Sequence, residues 1–363
     1  MSPPRSAFGA APVDPKGPLH GPGGAAIGPA EPDPRRPLGK AAASAVEIAI
    51  APRAGLVPRA PQLALLAAVL VLLPLALPNN YFFEIAILVA LNAMVCVGLN
   101  LLIGYAGQIS LGHAAFYALG GYGSALAAAR WGWPVWASMP LAVLAVGALA
   151  WLVGRPTLRL KGHYLAMATL GLGVIVSIVL ANEDQLTGGP DGMTVPALVL
   201  FGRTVQGEPV WYAIVAVALW LSVWLALNLI DSPVGRALRA LHGSEVAAET
   251  AGIDSARWKL RVFVISALFA ATAGALTAHY AGFITPAKAS FLHSVELVIM
   301  VVFGGMASIW GAVIGAALLT VLPQFLTVFK DYETMVFGAV LIATMVFFPR
   351  GIVPTLARLI SRP

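Results

Sequence analysis

Apolar residues gather along this chain in long runs, at 63–77, 82–103, 108–129, 134–153, 163–181, 210–230, 261–282, 294–326 and 334–349, with short polar stretches between them. Most runs approach the ~20 residues that carry a helix across a hydrocarbon core. The pattern predicts an all-α fold, a polytopic membrane helix bundle built as one domain over residues 61–356. The run 294–326 decides its topology. As one helix it leaves the basic C-terminus outside. Broken at Gly-Gly-Met-Ala-Ser, 304–308, it forms two shorter segments and returns that end to the cytoplasm.

Basic residues choose between these readings, because Lys and Arg collect on the cytoplasmic side of membrane proteins. With the broken reading, all of the 22 bases except Arg130, Arg203, Lys288 and Lys330 share one side, in the N-terminal tail, 154–162, 231–261 and 350–363. About ten membrane segments are therefore expected, short or broken ones included, with both termini cytoplasmic. Residues 1–60, rich in Pro, Gly and Ala, cannot bury enough apolar surface to order themselves and are expected as a disordered tail. Residues 357–363 are expected as a C-terminal tail.

Composition agrees with the pattern. Of the 363 residues 59% are hydrophobic and 10% charged, against about 25% charged in soluble domains. The net charge of +6 follows topology and builds no basic face, so membrane lipid is an expected partner and nucleic acid is not. The single cysteine, Cys96, excludes an internal disulfide and a thiolate metal cluster; in an apolar run it reads as a packing residue. No Gly-x-x-x-x-Gly-Lys-Ser/Thr and no His-Glu-x-x-His occurs, and the six histidines are scattered. The chain is thus expected to have no ATPase site, metal, cofactor or catalytic constellation of its own.

One membrane segment breaks the apolar rule. "GYAGQISLGHAAFYALGGYGSALAA", residues 104–128, carries six glycines and the polar trio Gln108, Ser110 and His113. Small residues let membrane helices approach closely, and this packing reading suits Gly120, Gly121 and Gly123. A sharper reading applies to Gly104, Gly107, Gln108, Ser110 and His113: glycines interrupt the helix, and the freed backbone groups line a translocation pathway. Gly304 and Gly305, at the second expected break, belong with them. "IGYAGQIS" at 103–110 and "FGGMASIW" at 303–310 form a faint internal echo.

The longest internal loop, 231–261, holds a helix opened by Pro233 that carries Arg236 and Arg239 and ends at Gly243. Ser244 caps a second, very short helix, 245–251, which Gly252 stops; Ser255 is expected to cap the next. Isolated helices below about 12 residues are marginal, so something must hold 245–251. Its Ala247, Ala248 and Ala251 offer a small-residue face. Glu245 and Glu249, four apart, repel unless a basic surface lies opposite.

This loop resembles the EAA loop of ABC importer permeases, which docks into a groove on the ATPase subunit. Ala247, Ala248 and Gly252 match its Glu-Ala-Ala and following Gly; Val246 stands at the glutamate position, with Glu245 one place early. "GYAGQISLGHAAFYALGGY", "LTGGPDGM" at 186–193, "GRALRAL", "VELVIMVVFGGMASIWGAVIGA" at 295–316 and "FFPRGI" complete a resemblance, over 63–356, to LivM-type permease subunits of branched-chain amino acid ABC importers. The resemblance implies a bacterial inner-membrane protein that works with a second related permease, two cytoplasmic ATPase subunits and an extracytoplasmic solute-binding protein. It implies ATPase coupling through Arg239, Glu245, Ala247, Ala248, Glu249 and Gly252. It also implies a gating or structural role for Glu296, and binding-protein docking at Gly188, Gly189, Pro190 and Asp191. Glu84, near the membrane surface, is given no role. A charge-poor interior suits an apolar amino acid zwitterion, and nearly as well urea, amides or aromatic compounds. The alternative is a secondary transporter driven by an ion gradient, a class that places several ionisable residues in its pathway.

Overall fold

The computed structural model describes residues 59–158, 160, 162–200, 203–326, 338, 339, 342 and 351–355. The expected tails, save Arg59 and Ala60, and most of the segment 334–349 lie outside the described residues.

Twelve helices follow in chain order among the described residues of 59–326. They are α1 (Arg59–Ala76), α2 (Asn80–Asn100), α3 (His113–Trp131), α4 (Val135–Thr157), α5 (His163–Asn182), α6 (Asp184–Thr187), α7 (Glu208–Asp231), α8 (Pro233–Gly243), α9 (Glu245–Thr250), α10 (Ser255–Ala281), α11 (Phe291–Gly304) and α12 (Ile309–Leu326). Two short antiparallel pairs join them, β1 (Met193–Thr194) with β4 (Phe283–Ile284), and β2 (Val199–Leu200) with β3 (Arg203–Thr204). Helix α2 runs on as a π-helical turn, Leu101–Tyr105. Among the described residues, α2 with this turn, α4, α5, α7 and α10 are long and apolar enough to cross a membrane; α1, α11 and α12 are shorter apolar helices. Helix α3 falls outside both groups because Gly, Ser and His dilute its apolarity. It is nonetheless buried along most of its length.

Its burial has a steric cause. Helix α10 packs against α3, α4 and α2, and α2 in turn packs against α7 and α12. At the α3–α10 contact the backbones touch: a Cβ on Gly274 would lie 1.8 Å from the Tyr117 carbonyl oxygen, and one on Gly120 2.2 Å from that of Ala271. Lipid supplies no hydrophobic drive between helices, so this close approach and the polar bonds across it hold the pair. Tyr117 Oη donates to Thr277 Oγ1 at 2.7 Å, and Ser124 Oγ meets His279 Nε2 at 2.7 Å.

Two boundaries differ from those predicted. Helix α3 starts at His113, five residues after the apolar run begins, because Gly107–Gly112 is an irregular break. Helix α10 starts at Ser255, inside the expected loop, capped by the Asp254 side chain, which accepts from Arg257 N at 3.0 Å; the Ser255 hydroxyl is used elsewhere. The run 294–326 is two helices, as the charges required, with the turn at Gly305–Ser308. Helix α11 has 14 residues, so it extends about 21 Å and falls short of a ~30 Å core. Its tip instead seats against α2: Asn100 Nδ2 donates to Ser308 O at 2.6 Å, and Asn100 Oδ1 accepts from Ala307 N at 3.0 Å.

Replacing Gly274 by Val forces α3 and α10 apart. Overpacking of this kind costs roughly 1–3 kcal/mol, and a lowered melting temperature of the detergent-purified protein measures it. Gly171→Val, where a Cβ meets nothing within 4 Å, is the control expected to melt as the parent does.

Candidate functional site

The break Gly107–Gly112 is stapled to three helices. Leu111 N donates to Thr169 Oγ1 on α5 at 3.1 Å, and Ala114 N to Ser294 Oγ on α11 at 3.1 Å. His113, fully buried, meets Ser110 Oγ through Nδ1 (3.0 Å) and Ser266 Oγ on α10 through Nε2 (2.7 Å), with the rings of Phe116 and Phe263 edge-on beside it. Ser110 and His113 are therefore committed to contacts inside the bundle. Thr169, Ser294 and the Leu102 carbonyl, which accepts from Gln108 N at 3.1 Å, answer the backbone N–H groups freed where the helix stops. Gly104 lies where the second break meets the first: a Cβ there would fall 2.2 Å from Ala307 N. Gly304 and Gly305 are buried beside it, while Gly107, Ile109, Met306 and Ala307 are exposed. Gly351, from the "FFPRGI" stretch, closes on Gly305, which a Cβ would approach to 2.4 Å of its Cα.

Helix α9 is held as its length demands. Ser232 and Ser244 cap α8 and α9, accepting from Val234 N (3.1 Å) and Ala247 N (3.3 Å). Gly252, at φ +84°, makes the left-handed stop. The two acids are answered within the chain: Glu245 pairs with the buried Lys259 at 2.8 Å, and Glu249 accepts from the Ser255 hydroxyl. The expected repulsion relieved by an outside basic surface is thus corrected. Ala248 faces inward and is buried, whereas Ala247 and Ala251 are exposed, so the small-residue face is divided. Arg239 donates from Nη1 to Ile230 O at 2.8 Å, closing the end of α7. What the loop displays is Arg236 on α8 and Val246, 70% exposed, on α9.

The loop also touches the break. A Cβ on Gly107, at φ +66°, would come 2.9 Å from Nδ1 of His242, at the end of α8. Between them lies a cavity of about 180 Å³, bounded by the break, the start of α5, the end of α8, Glu245 and Lys259. Gln108 lines it, 4% exposed, with Oε1 unpartnered among the described residues.

At the opposite end of α10 the residues Gly188, Gly189, Pro190 and Asp191 form a close-packed turn. Cβ atoms on Gly188 and Gly189 would lie 2.0 Å from Gly192 O and Asp184 Oδ1, which accounts for both glycines sterically. Pro190 and Asp191 are exposed on its crown, and pairing of β1 with β4 ties the turn to the end of α10. Glu208 opens α7 and accepts from Tyr280 Oη at 2.6 Å. Glu296, its side chain 48% exposed on α11, lies 3.4 Å from Nδ1 of His293, whose ring stands against Tyr117. Exposure of an acid within an apolar helix and of the loop's valine carried only weak signals in sequence. Lys288 carried one, as an exception to the charge rule.

Apolar helices interrupted by two mutually satisfied breaks, with a small amphipathic loop braced against one of them, define a multi-pass membrane protein of the permease class. The chain belongs to the family described as the branched-chain amino acid transport system permease component, which matches residues 81–345. It is 35% identical over 296 residues to the high-affinity branched-chain amino acid transport system permease protein LivM of Escherichia coli K12, covering 75% of this chain and 69% of that one. It is 28% identical over 279 residues to LivH of the same organism (72% and 90%) and 29% identical over 279 residues to BraD of Pseudomonas aeruginosa (72% and 90%). No solved structure matches.

The bridge beneath α9 yields a stability prediction. Lys259 is the more buried partner, so Glu245→Gln, which strands that ammonium, destabilises more than Lys259→Met. A double-mutant cycle in chemical denaturation is expected to give a coupling of about 1–2 kcal/mol, between exposed and buried pairs.

Proposed function

We propose that this chain is one transmembrane half of an ATP-driven importer for branched-chain or related amino acids in a bacterial inner membrane. It pairs with a second related permease, two cytoplasmic ATPase subunits and an extracytoplasmic solute-binding protein. It crosses the membrane in about ten segments with both termini cytoplasmic, and supplies no ATPase site. Relatives named for branched-chain amino acid transport support the solute class, and likeness to both LivM and LivH supports a two-permease assembly.

One observation carries the mechanism: the α8–α9 loop, capped and bridged so that it moves as a unit, abuts the broken helix where His242 meets Gly107. An ATPase that grips Val246 and Arg236 from the cytoplasm displaces this unit, and the displacement reaches the break without passing through a flexible linker. Gly104, Gly107 and Gln108, with Gly304 and Gly305 across from them, then reshape the pathway between the two permeases. Ser110 and His113 act as its fixed hinge. Glu296 faces outward from an apolar helix, a position that intramembrane acids take up toward a partner or a wet pathway. Asp191 and Pro190, with the acids Glu183 and Asp184, offer the docking surface for the binding protein.

The test uses the complete transporter in proteoliposomes. Val246→Asp is expected to leave membrane insertion intact and to cut ATP-driven uptake about tenfold or more, as removal of a buried interface anchor does. A cysteine at Val246, easily distinguished because Cys96 is buried, is expected to cross-link to the ATPase. Undiminished uptake by Val246→Asp, with no cross-link, would falsify the coupling role. Gly107→Val, which collides with His242, is expected to impair uptake while the ATPases still co-purify; wild-type uptake would detach the break from the loop.

A further inference from the structure

The end of the bundle away from the α8–α9 loop holds a second polar concavity that no sequence motif marks. It is a cavity of about 350 Å³, formed by the first turns of α2, the start of α7, the last turns of α10 and the turn Pro286–Ala289. Charged or hydroxyl groups enter from each: Glu84 from α2, Glu208 from α7, Tyr280 from α10 and Lys288 from the turn. The Tyr280–Glu208 bond fixes one carboxylate, and Glu84 lies within electrostatic reach of the same hydroxyl. Neither Glu84 nor Lys288 has an ion pair among the described residues. The rest of the wall is largely apolar, with Leu88 and Phe283 on it.

This combination is selective. An anion alone meets two carboxylates, a cation alone leaves Lys288 unanswered, and a neutral amide answers none of the three charges. A molecule carrying both an ammonium and a carboxylate on an apolar body satisfies all of them, and the volume lies in the ~300–1,000 Å³ range of small-molecule sites. We propose that the cavity is a binding station for a zwitterionic α-amino acid with an apolar side chain. The α-ammonium sits between Glu84 and Glu208, the α-carboxylate on Lys288, and the side chain against Leu88 and Phe283. The assignment rests on the importer reading above, since this is the mouth that faces the solute-binding protein. It narrows that reading by excluding urea and simple amides.

Two measurements decide it. In the first, the detergent-purified complex of both permeases and the ATPases, without the binding protein, is titrated with radiolabelled L-leucine against 3-methylbutylamine, 4-methylpentanoate and urea. Leucine is expected to bind, the singly charged analogues to compete at least about tenfold more weakly, and urea not at all, as loss of a charged hydrogen bond requires. In the second, Lys288→Met and Glu84→Gln are expected to lower ATP-driven leucine uptake about tenfold, with Lys288→Arg restoring most of it. Lys288 is exposed on a short turn, so its replacement leaves assembly, read by co-purification, in place. Wild-type uptake by both variants, or competition by the amine or acid equal to leucine, overturns the station while leaving the importer standing. A parent complex with no ATP-dependent uptake overturns the importer, and the leucine titration still decides the station.

Discussion

A backbone group that leaves its helix inside a bilayer must find a partner in the protein, because no water reaches it there. This chain breaks two helices at once, and the breaks answer each other. Asn100 at the end of α2 bonds both Ala307 N and Ser308 O of the α11–α12 turn, and Gly104 has no Cβ because Ala307 occupies its place. Thr169, Ser266 and Ser294 complete the first break from α5, α10 and α11. Asn100, Ser110, His113, Thr169, Ser266 and Ser294, all buried, are polar residues placed at these breaks.

Helix α10 joins the two ends of the molecule. Its first turns carry Lys259 beneath α9, its middle carries Ser266 to His113, and its last turns carry Tyr280 to Glu208. Over 27 residues this is about 40 Å of continuous helix. The backbone contact with α3 at Gly274 and Gly120 leaves little room for the two to slide. A push on the α8–α9 loop therefore arrives at a rigid element and at the break beside it, rather than dissipating in separate side chains.

Much of this was legible before any coordinates. Capping at Ser244 and the stop at Gly252 follow from local rules, the break in 294–326 from the placement of basic residues, and the structure bears out all three. The glycines at 120 and 121 do pack a helix contact. Other features were misread for one shared reason: they depend on partners distant in sequence. Glu245 and Glu249 looked exposed to mutual repulsion until Lys259 and Ser255 were found opposite them. Glu84 was assigned no role, because only folding brings α2, α7 and α10 around one cavity.

By itself the sequence determined the class of molecule and its membrane character, since apolar run length and charge placement are properties of neighbouring residues read against a fixed bilayer thickness. It also determined the cap and stop of α9, which local capping and glycine chemistry govern, but not the starts of α3 and α10. Only the tertiary structure decided what the polar residues do. Whether His113 is a staple, Gln108 faces a cavity or Lys288 shares one with two carboxylates depends on which helices lie side by side. That arrangement is set by close packing across hundreds of residues, where each contact is short-ranged in space and unreadable along the chain.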